Sequence, residues 1–302
     1  MKQNKPKVLV TGGEGFVGSY LVPKLRTKNF EVIITSKLSG NKQNQIYQID
    51  IRNLEEVSKL FKEQRPDYVF HLAAISSPVE KNISTIYDVN LQGSLNILES
   101  AQEYVPESTI LMVSSGYVYG NYKDPIAESF PTNPINHYGI SKLAMEKLVL
   151  AYKEKIKKIV LARPFNHTGQ GQSENFVIAK VINTLNRQRA NYDKLVLELG
   201  NIDAVRDFTD VNDIVEAYID LIDKGKNLET YNISSNIGYS IRDTIRILEK
   251  ILDTDIDVRK NEKFMRPSDM PILIGDNGKI IKEIGWKPKI RFPQLLEKML
   301  KY

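Results

Sequence analysis

Gly12-Gly13-Glu14-Gly15-Phe16-Val17-Gly18 stands between an apolar run, Lys7 to Val10, and a segment with apolar residues at helical spacing: Phe16, Val17, Tyr20, Leu21 and Leu25. A turn this tight needs residues without a Cβ, and a phosphate can approach closely only where the backbone is bare. The N-terminus of the following helix offers N–H donors to a pyrophosphate. Glycines at 12, 15 and 18, set between a strand and a helix, therefore predict a dinucleotide cradle rather than a plain turn.

Outward from this turn, short apolar strands alternate with helical patterns. Strands are expected at Glu31 to Thr35, Gln45 to Asp50, Asp67 to Leu72, Thr109 to Ser114 and Lys157 to Ala162. Helices are expected at Phe16 to Lys28, Leu54 to Lys62, Thr85 to Glu103 and His137 to Glu154. This rhythm predicts an α/β fold, a Rossmann-type doubly wound parallel sheet, with ligands beyond the carboxyl ends of its strands. After Pro164 the rhythm loosens, and Gly169-Gln170-Gly171-Gln172-Ser173 reads as a loop, while Arg266-Pro267 and Met270-Pro271 interrupt regular structure. The expected division is a dinucleotide-binding domain, 1–165 plus a return excursion at 205–233, and a smaller, less regular C-terminal substrate domain, 166–204 and 234–302.

The chain has 302 residues, 41% hydrophobic and 26% charged, and no cysteine. That length supports one sizeable core or a large domain with a smaller partner. The lack of cysteine excludes disulfides, thiol catalysis and thiolate-bound metals. No apolar run is long enough to span a bilayer, and Met1-Lys2-Gln3-Asn4-Lys5 leads into no secretory core, so a cytoplasmic enzyme with no membrane partner is expected. The net charge of +5 comes from lysines spread along the chain. A solvated surface is expected rather than a nucleic-acid footprint, although a mild positive excess favours phosphate-bearing ligands.

Where NAD-selective sites place a carboxylate after the second strand, this chain has Thr35-Ser36-Lys37. Ser36 and Lys37 suit a 2′-phosphate, so NADP(H) is expected in preference to NAD(H); the alternative is that Lys37 merely faces solvent. Asp50, at the end of the third strand, is placed to accept from an adenine amino group. Tyr138-Gly139-Ile140-Ser141-Lys142 puts a phenol and an ammonium on one helix face, where the cation is expected to lower the phenol's pKa. Ser114-Ser115 ends the strand before it, where a hydroxyl can reach the same substrate oxygen.

With these motifs the chain resembles, over its full length, the extended short-chain dehydrogenases that act on nucleotide sugars. His71-Leu72-Ala73-Ala74, Val113-Ser114-Ser115-Gly116-Tyr117-Val118-Tyr119-Gly120 and Tyr138 to Lys142 carry the resemblance. It implies Ser115, Tyr138 and Lys142 as the catalytic trio, and places Phe16, Val17, Ile51, Leu72, Ala73, Tyr138 and Lys142 around the cofactor, with Lys142 on the nicotinamide ribose. Arg163-Pro164-Phe165-Asn166-His167-Thr168-Gly169, Gly200 to Phe208 and Arg266-Pro267-Ser268-Asp269 resemble the GDP-mannose branch, especially its GDP-4-keto-6-deoxy-D-mannose reductases, which form GDP-D-rhamnose. That implies a GDP-sugar substrate whose diphosphate and sugar are held by Asn166, Asn175, Arg206 and Arg266, with Asp269 toward the nucleoside. A guanidinium fork suits phosphate oxygens; surface ion pairs of Arg206 and Arg266 with Asp207 and Asp269 are the alternative. Similar 4,6-dehydratases carry Glu, or Asp-Glu, just after the catalytic hydroxyl residue, where this chain has Gly116 and Tyr117. GDP-fucose-forming epimerase/reductases carry Cys at the position of Tyr117 and His at that of Gly171. The resemblance therefore implies reduction of a C4 ketone and a homodimer built from the helices Thr85 to Glu103 and His137 to Glu154.

Other residues carry weaker expectations. His71, inside an apolar strand, reads as a satisfied core residue, His137 as a helix start, and His167 either as a substrate contact or as loop packing. Three scattered histidines lack metal-ligand spacing, so no metal is expected. Glu128 is a sugar-hydroxyl contact or a surface carboxylate. The rival functions are a 4-epimerase or 4,6-dehydratase that recycles tightly held NAD(P), and a non-enzymatic dinucleotide-responsive regulator on the same fold.

Overall fold

The structure, a computed structural model, describes residues 5–37, 40–76, 82–189, 191, 194–265 and 270–301. The glycine turn follows β1 (Lys7–Thr11) and opens α1 (Phe16–Thr27). Then come β2 (Glu31–Ser36), β3 (Ile46–Gln48), α2 (Leu54–Gln64) and β4 (Tyr68–His71). α3 (Ile83–Tyr87) runs through a π-helical turn, Asp88–Gln92, into α4 (Gly93–Tyr104). β5 (Thr109–Val113), α5 (His137–Val149) and β6 (Lys158–Pro164) complete the regular alternation.

The helix expected to run uninterrupted from Thr85 to Glu103 thus contains a wider turn. It points the buried Asn90 inward, where its side chain grips both the N–H and C=O of Ile75 and reaches Ser141. The helix expected to reach Glu154 ends at Val149 and closes in a 3₁₀ turn, Leu150–Tyr152.

The remaining elements are β7 (Asn166–Thr168), α6 (Val177–Arg189), β8 (Leu195–Leu199), β9 (Val205–Asp210), α7 (Val211–Lys224), β10 (Thr230–Ile233), β11 (Gly238–Ser240), α8 (Ile241–Leu252), β12 (Ile256–Lys260), β13 (Ile272–Leu273), α9 (Gly278–Ile284) and α10 (Phe292–Leu300). Seven strands form one sheet in the order β10-β6-β5-β4-β1-β2-β3, every ladder parallel. Such a sheet is buried on both faces, which accounts for apolar runs such as Val8-Leu9-Val10. Leu21, Leu25, Ile214 and Leu221 cover one face; Phe61, Ile97, Met145 and Val149 cover the other. Of the stretch 205–233, β10 joins this sheet and α7 packs against α1, whereas β9 pairs with β7, β11 and β13 in a separate small sheet. β8 and β12 make a two-stranded pair, and α6, α8 and α10 bury a third apolar cluster around Leu185, Leu248 and Leu296. Among the described residues no helix is long and apolar enough to cross a membrane.

Candidate active site

The strand order reverses between β1 and β4, so a crevice opens at their carboxyl ends. Gly12 sits there at φ +68°, and a Cβ on it would lie 3.0 Å from the backbone of Ala73. A Cβ on Gly18 would lie 2.4 Å from the carbonyl oxygen of Gly13, so helix and turn close on each other only because glycine occupies both. Gly12, Gly15, Phe16, Val17, Gly18, Leu72 and Ala73 help line a cavity of about 1070 Å³. This is above the roughly 300–1,000 Å³ usual for a single small ligand. The bare turn at a helix N-terminus fits a dinucleotide pyrophosphate.

Ser36, which ends β2, Lys37, which follows it, and Asp50 and Ile51, which follow β3, are not among the residues that line the cavity. Lys37 has a 65% exposed side chain, with its Nζ 3.9 Å from Asp50 Oδ2. Asp50 accepts from Nε and Nη2 of Arg52, at 2.9 and 2.5 Å, a bidentate grip not anticipated from sequence. Hydrogen bonding from Arg52, chiefly, lowers the Asp50 carboxyl to about 2.

The expected trio meets where β5 ends against α5. Asn136 caps α5 by accepting from Gly139 N–H at 2.8 Å, which starts the helix so that Tyr138 faces the strand. Tyr138 lines the cavity beside Ser115, whose hydroxyl favours the ionised form of the phenol. One turn on, Lys142 is buried behind the wall and donates to Val113 O at 2.8 Å. A further turn on, Glu146 accepts from Ser114 and makes a two-pronged pair with Arg163 of β6, Nε to Oε1 at 2.8 Å and Nη2 to Oε2 at 2.6 Å. Arg163 also donates to the Tyr119 hydroxyl at 2.7 Å. Three successive residues of the strand end thus hold three residues one turn apart on α5. Glu146 was missed from sequence, although it continues the i,i+4 stripe of Tyr138 and Lys142.

The electrostatics correct one expectation. Burial pushes the Tyr138 phenol up to about 12, with the Ser115 hydroxyl opposing it, rather than the cation pulling the phenol down. Burial lowers Lys142 to about 8, and the nearby Glu146 carboxylate opposes that fall. Desolvation outweighs charge here because both groups lie inside the protein. The phenol is consequently protonated at neutral pH.

The same cavity is lined by Asn166 on β7, Asn175, and Arg206 on β9. Asn166 Oδ1 is buried with no hydrogen-bond partner among the described residues, the condition of an acceptor suited to a ligand's donor. Arg206 does not have Asp207 as its ion-pair partner. Asp207 instead accepts from Ser235 N–H, Ser235 O–H and Asn236 N–H, because it is fully buried among those donors. Arg266 and Asp269 lie outside the described residues.

Tyr117 lines the cavity and packs edge-on to Tyr138, ring centres 5.8 Å apart; Gly116 faces the Phe165 ring. Neither offers a carboxylate. Glu128 lies away from the cavity: it accepts from Asn232 N–H at 2.8 Å, which accounts for that carboxylate structurally. His137 opens α5 and pairs with the Tyr87 hydroxyl at 2.9 Å. His167 lines the cavity, stacked parallel to Phe16 at 6.3 Å, with Nδ1 3.0 Å from Phe165 O. Lys180, with its ammonium 3.1 Å from the Phe264 ring centre, also lines the cavity and was not anticipated. Among the described residues no three His, Cys, Asp or Glu side chains converge as metal ligands do.

A family model described as GDP-mannose 4,6 dehydratase matches residues 9–299. The chain is 36% identical over 281 residues to GDP-6-deoxy-D-talose 4-dehydrogenase of Aggregatibacter actinomycetemcomitans, covering 92% of this chain and 91% of that one. It is 31% identical over 300 residues to GDP-6-deoxy-D-mannose reductase of Pseudomonas aeruginosa, covering 97% and 96%. The solved structure of RMD from Pseudomonas aeruginosa complexed with NADPH superposes with a TM-score of 0.85 at 31% identity, over 98% of this chain and 97% of that one.

Proposed function

The chain belongs to the GDP-mannose 4,6-dehydratase family, and from that premise we propose that it reduces the C4 ketone of GDP-4-keto-6-deoxy-D-mannose, or of a closely related 4-keto sugar nucleotide. It is an oxidoreductase of the extended short-chain type that uses a nicotinamide dinucleotide. The product is GDP-D-rhamnose or its C4 epimer; 6-deoxymannose and 6-deoxytalose, the sugars in the two relatives' names, differ at that carbon. The observation that carries the reading is that Ser115 and Tyr138 line one cavity together with the glycine turn and with Asn166, Asn175 and Arg206.

Gly12, Gly15, Phe16, Val17, Gly18, Leu72 and Ala73 would hold the cofactor's pyrophosphate and neighbouring groups, and Ser36, Lys37, Asp50 and Ile51 its adenosine end. When bound, the reduced dinucleotide supplies the hydride that forms the new C4–H bond. Tyr138 then transfers its phenolic proton to the C4 oxygen as the carbonyl π pair moves onto that oxygen. Ser115 donates a hydrogen bond to the same oxygen, stabilising charge where it develops. Lys142, one turn away, stabilises the phenolate left on Tyr138. Arg206 and Asn166 orient the diphosphate and sugar, with Asn175 and Arg266 assigned to the same groups and Asp269 to the nucleoside. The large sheet serves the dinucleotide and the smaller lobe the sugar nucleotide. Because Gly116 and Tyr117 provide no carboxylate for elimination, reduction is favoured over dehydration.

The deciding experiment incubates the protein with reduced cofactor and either GDP-mannose or its 4-keto-6-deoxy derivative. Stoichiometric loss of the nicotinamide's near-ultraviolet absorbance is expected with the keto sugar alone. Conversion of GDP-mannose without net cofactor consumption would refute the reading. A homodimer through α4 and α5 accompanies it: Ile140 on α5 and Leu150, in the 3₁₀ turn that follows it, leave apolar surface exposed, and light scattering that reports a monomer removes this part.

A further inference from the structure

We propose that His71 is a positioning residue that, as a neutral imidazole protonated on Nε2, joins the cofactor-facing ends of β1 and β4 to the helix that carries Tyr138. The proposal rests on the reading of the cavity as a nicotinamide-dinucleotide site. His71 ends β4, is buried, and has both ring nitrogens engaged by hydroxyls: Nδ1 lies 2.8 Å from Thr11 Oγ1 and Nε2 lies 3.0 Å from Ser94 Oγ.

The partners of those hydroxyls determine where the ring proton sits. Ser94 O–H donates to Asn90 O at 2.6 Å, so its oxygen can only accept from the ring, which puts the proton on Nε2. Thr11 Oγ1 already accepts from Ala73 N–H at 3.2 Å, so its own hydrogen is left to donate to Nδ1. Asn90 continues the chain: its Nδ2 donates to Ser141 Oγ at 3.0 Å, and Ser141 O–H donates to Tyr138 O at 2.7 Å. Every donor from Ala73 to Tyr138 therefore points the same way.

At one end the chain touches the cavity wall: Ala73 lines it, and Gly12, next to Thr11, packs against Ala73. At the other end it holds the backbone of the proposed proton donor. The charged group acting on His71 is Lys142, and burial together with that cation lowers the imidazole to about 3, consistent with a ring that stays neutral. An imidazolium would need to donate from both nitrogens, reversing the Thr11 hydroxyl and setting a second positive charge beside Lys142.

The first test needs no variant. The chain has three histidines, and ¹⁵N spectra of the intact protein are expected to show one of them with Nε2 protonated, Nδ1 bare, and shifts constant between about pH 5 and 8. A histidine-71 spectrum with Nδ1 protonated, or one that titrates in that range, overturns the proposal. The second test compares Thr11→Val with wild type, using NADPH fluorescence titration alongside turnover. Loss of the donor to Nδ1 is expected to weaken NADPH binding and lower kcat by about tenfold each, with KM for the sugar nucleotide within about twofold. A variant that loses only thermal stability, with NADPH affinity and kcat unchanged, also overturns it. Wild-type protein that binds NADPH but reduces no 4-keto sugar nucleotide would instead sink the functional reading, leaving the spectra and the NADPH titration to decide the role of His71.

Discussion

The ammonium of Lys142 is held 2.8 Å from the carbonyl oxygen of Val113, tying the last residue of β5 to the helix that carries Tyr138. Since Ser114 and Ser115 follow at once and engage Glu146 and Tyr138, the strand end holds that helix at three levels. The position of the phenol thus depends in part on groups outside the cavity lining: Ser114, Lys142 and Glu146.

Replacing Tyr138 by Phe removes the proton donor and leaves the ring packed against Tyr117. Turnover is expected to fall by about two to four orders of magnitude, the usual scale for general acid catalysis. Steady-state kinetics at saturating cofactor check this, and near-normal turnover would eliminate Tyr138 as the acid.

The pH dependence follows from the two buried groups. Tyr138, pushed up to about 12, stays protonated over the working range, while Lys142, lowered to about 8, loses its proton as pH rises through that value. The rate is therefore expected to decline above about pH 8. Because the Glu146 carboxylate raises the Lys142 pKa, Glu146→Gln should move this limb to lower pH. A pH–rate profile of the variant superimposable on wild type would contradict the coupling. For stability the sign is opposite: between about 8 and the ordinary lysine value the unfolded chain binds a proton that the folded chain does not, so Lys142 makes folding more favourable as pH rises through that window.

Arg163 and Glu146 have side chains only 8% and 5% exposed. Removing one member strands the other's charge inside the protein, so Arg163→Met is expected to cost about 3–5 kcal/mol in urea unfolding. Replacing both with apolar residues should recover part of that loss. A single variant within about 1 kcal/mol of wild type would show that the charge is compensated elsewhere.

Lys37 is the residue on which the cofactor preference rests. Wild-type kcat/KM is expected to be higher with NADPH than with NADH, and Lys37→Ala should narrow that ratio by about tenfold, mainly through KM for NADPH. Equal kcat/KM for the two cofactors in wild type would remove the inference.

The strand–helix alternation and the glycine turn were legible because their signals are local: apolar spacing within one element, and glycines at 12, 15 and 18 within seven residues. Tyr138 and Lys142 were legible for the same reason, lying one turn apart. Glu146 belongs to that stripe, but its partner Arg163 comes from β6, across the sheet, and no local pattern names a cross-element ion pair. The destination of β9 was hidden likewise: its partners β7, β11 and β13 are scattered through the chain, so its sequence alone does not say which sheet it joins. The pKa of Tyr138 was read in the wrong direction because sequence reveals a neighbouring charge but not the depth of burial.

The π-helical turn at Asp88–Gln92 accommodates a surplus residue inside an otherwise regular helix. Deleting one residue there would let the backbone close into ordinary α turns, a locally more comfortable arrangement, and would swing Asn90 away from Ile75 and Ser141. Such a shortened chain is expected to form a sturdier helix and a poorer enzyme. The wide turn thus trades local helical regularity for the grip that Asn90 keeps on Ile75 and Ser141.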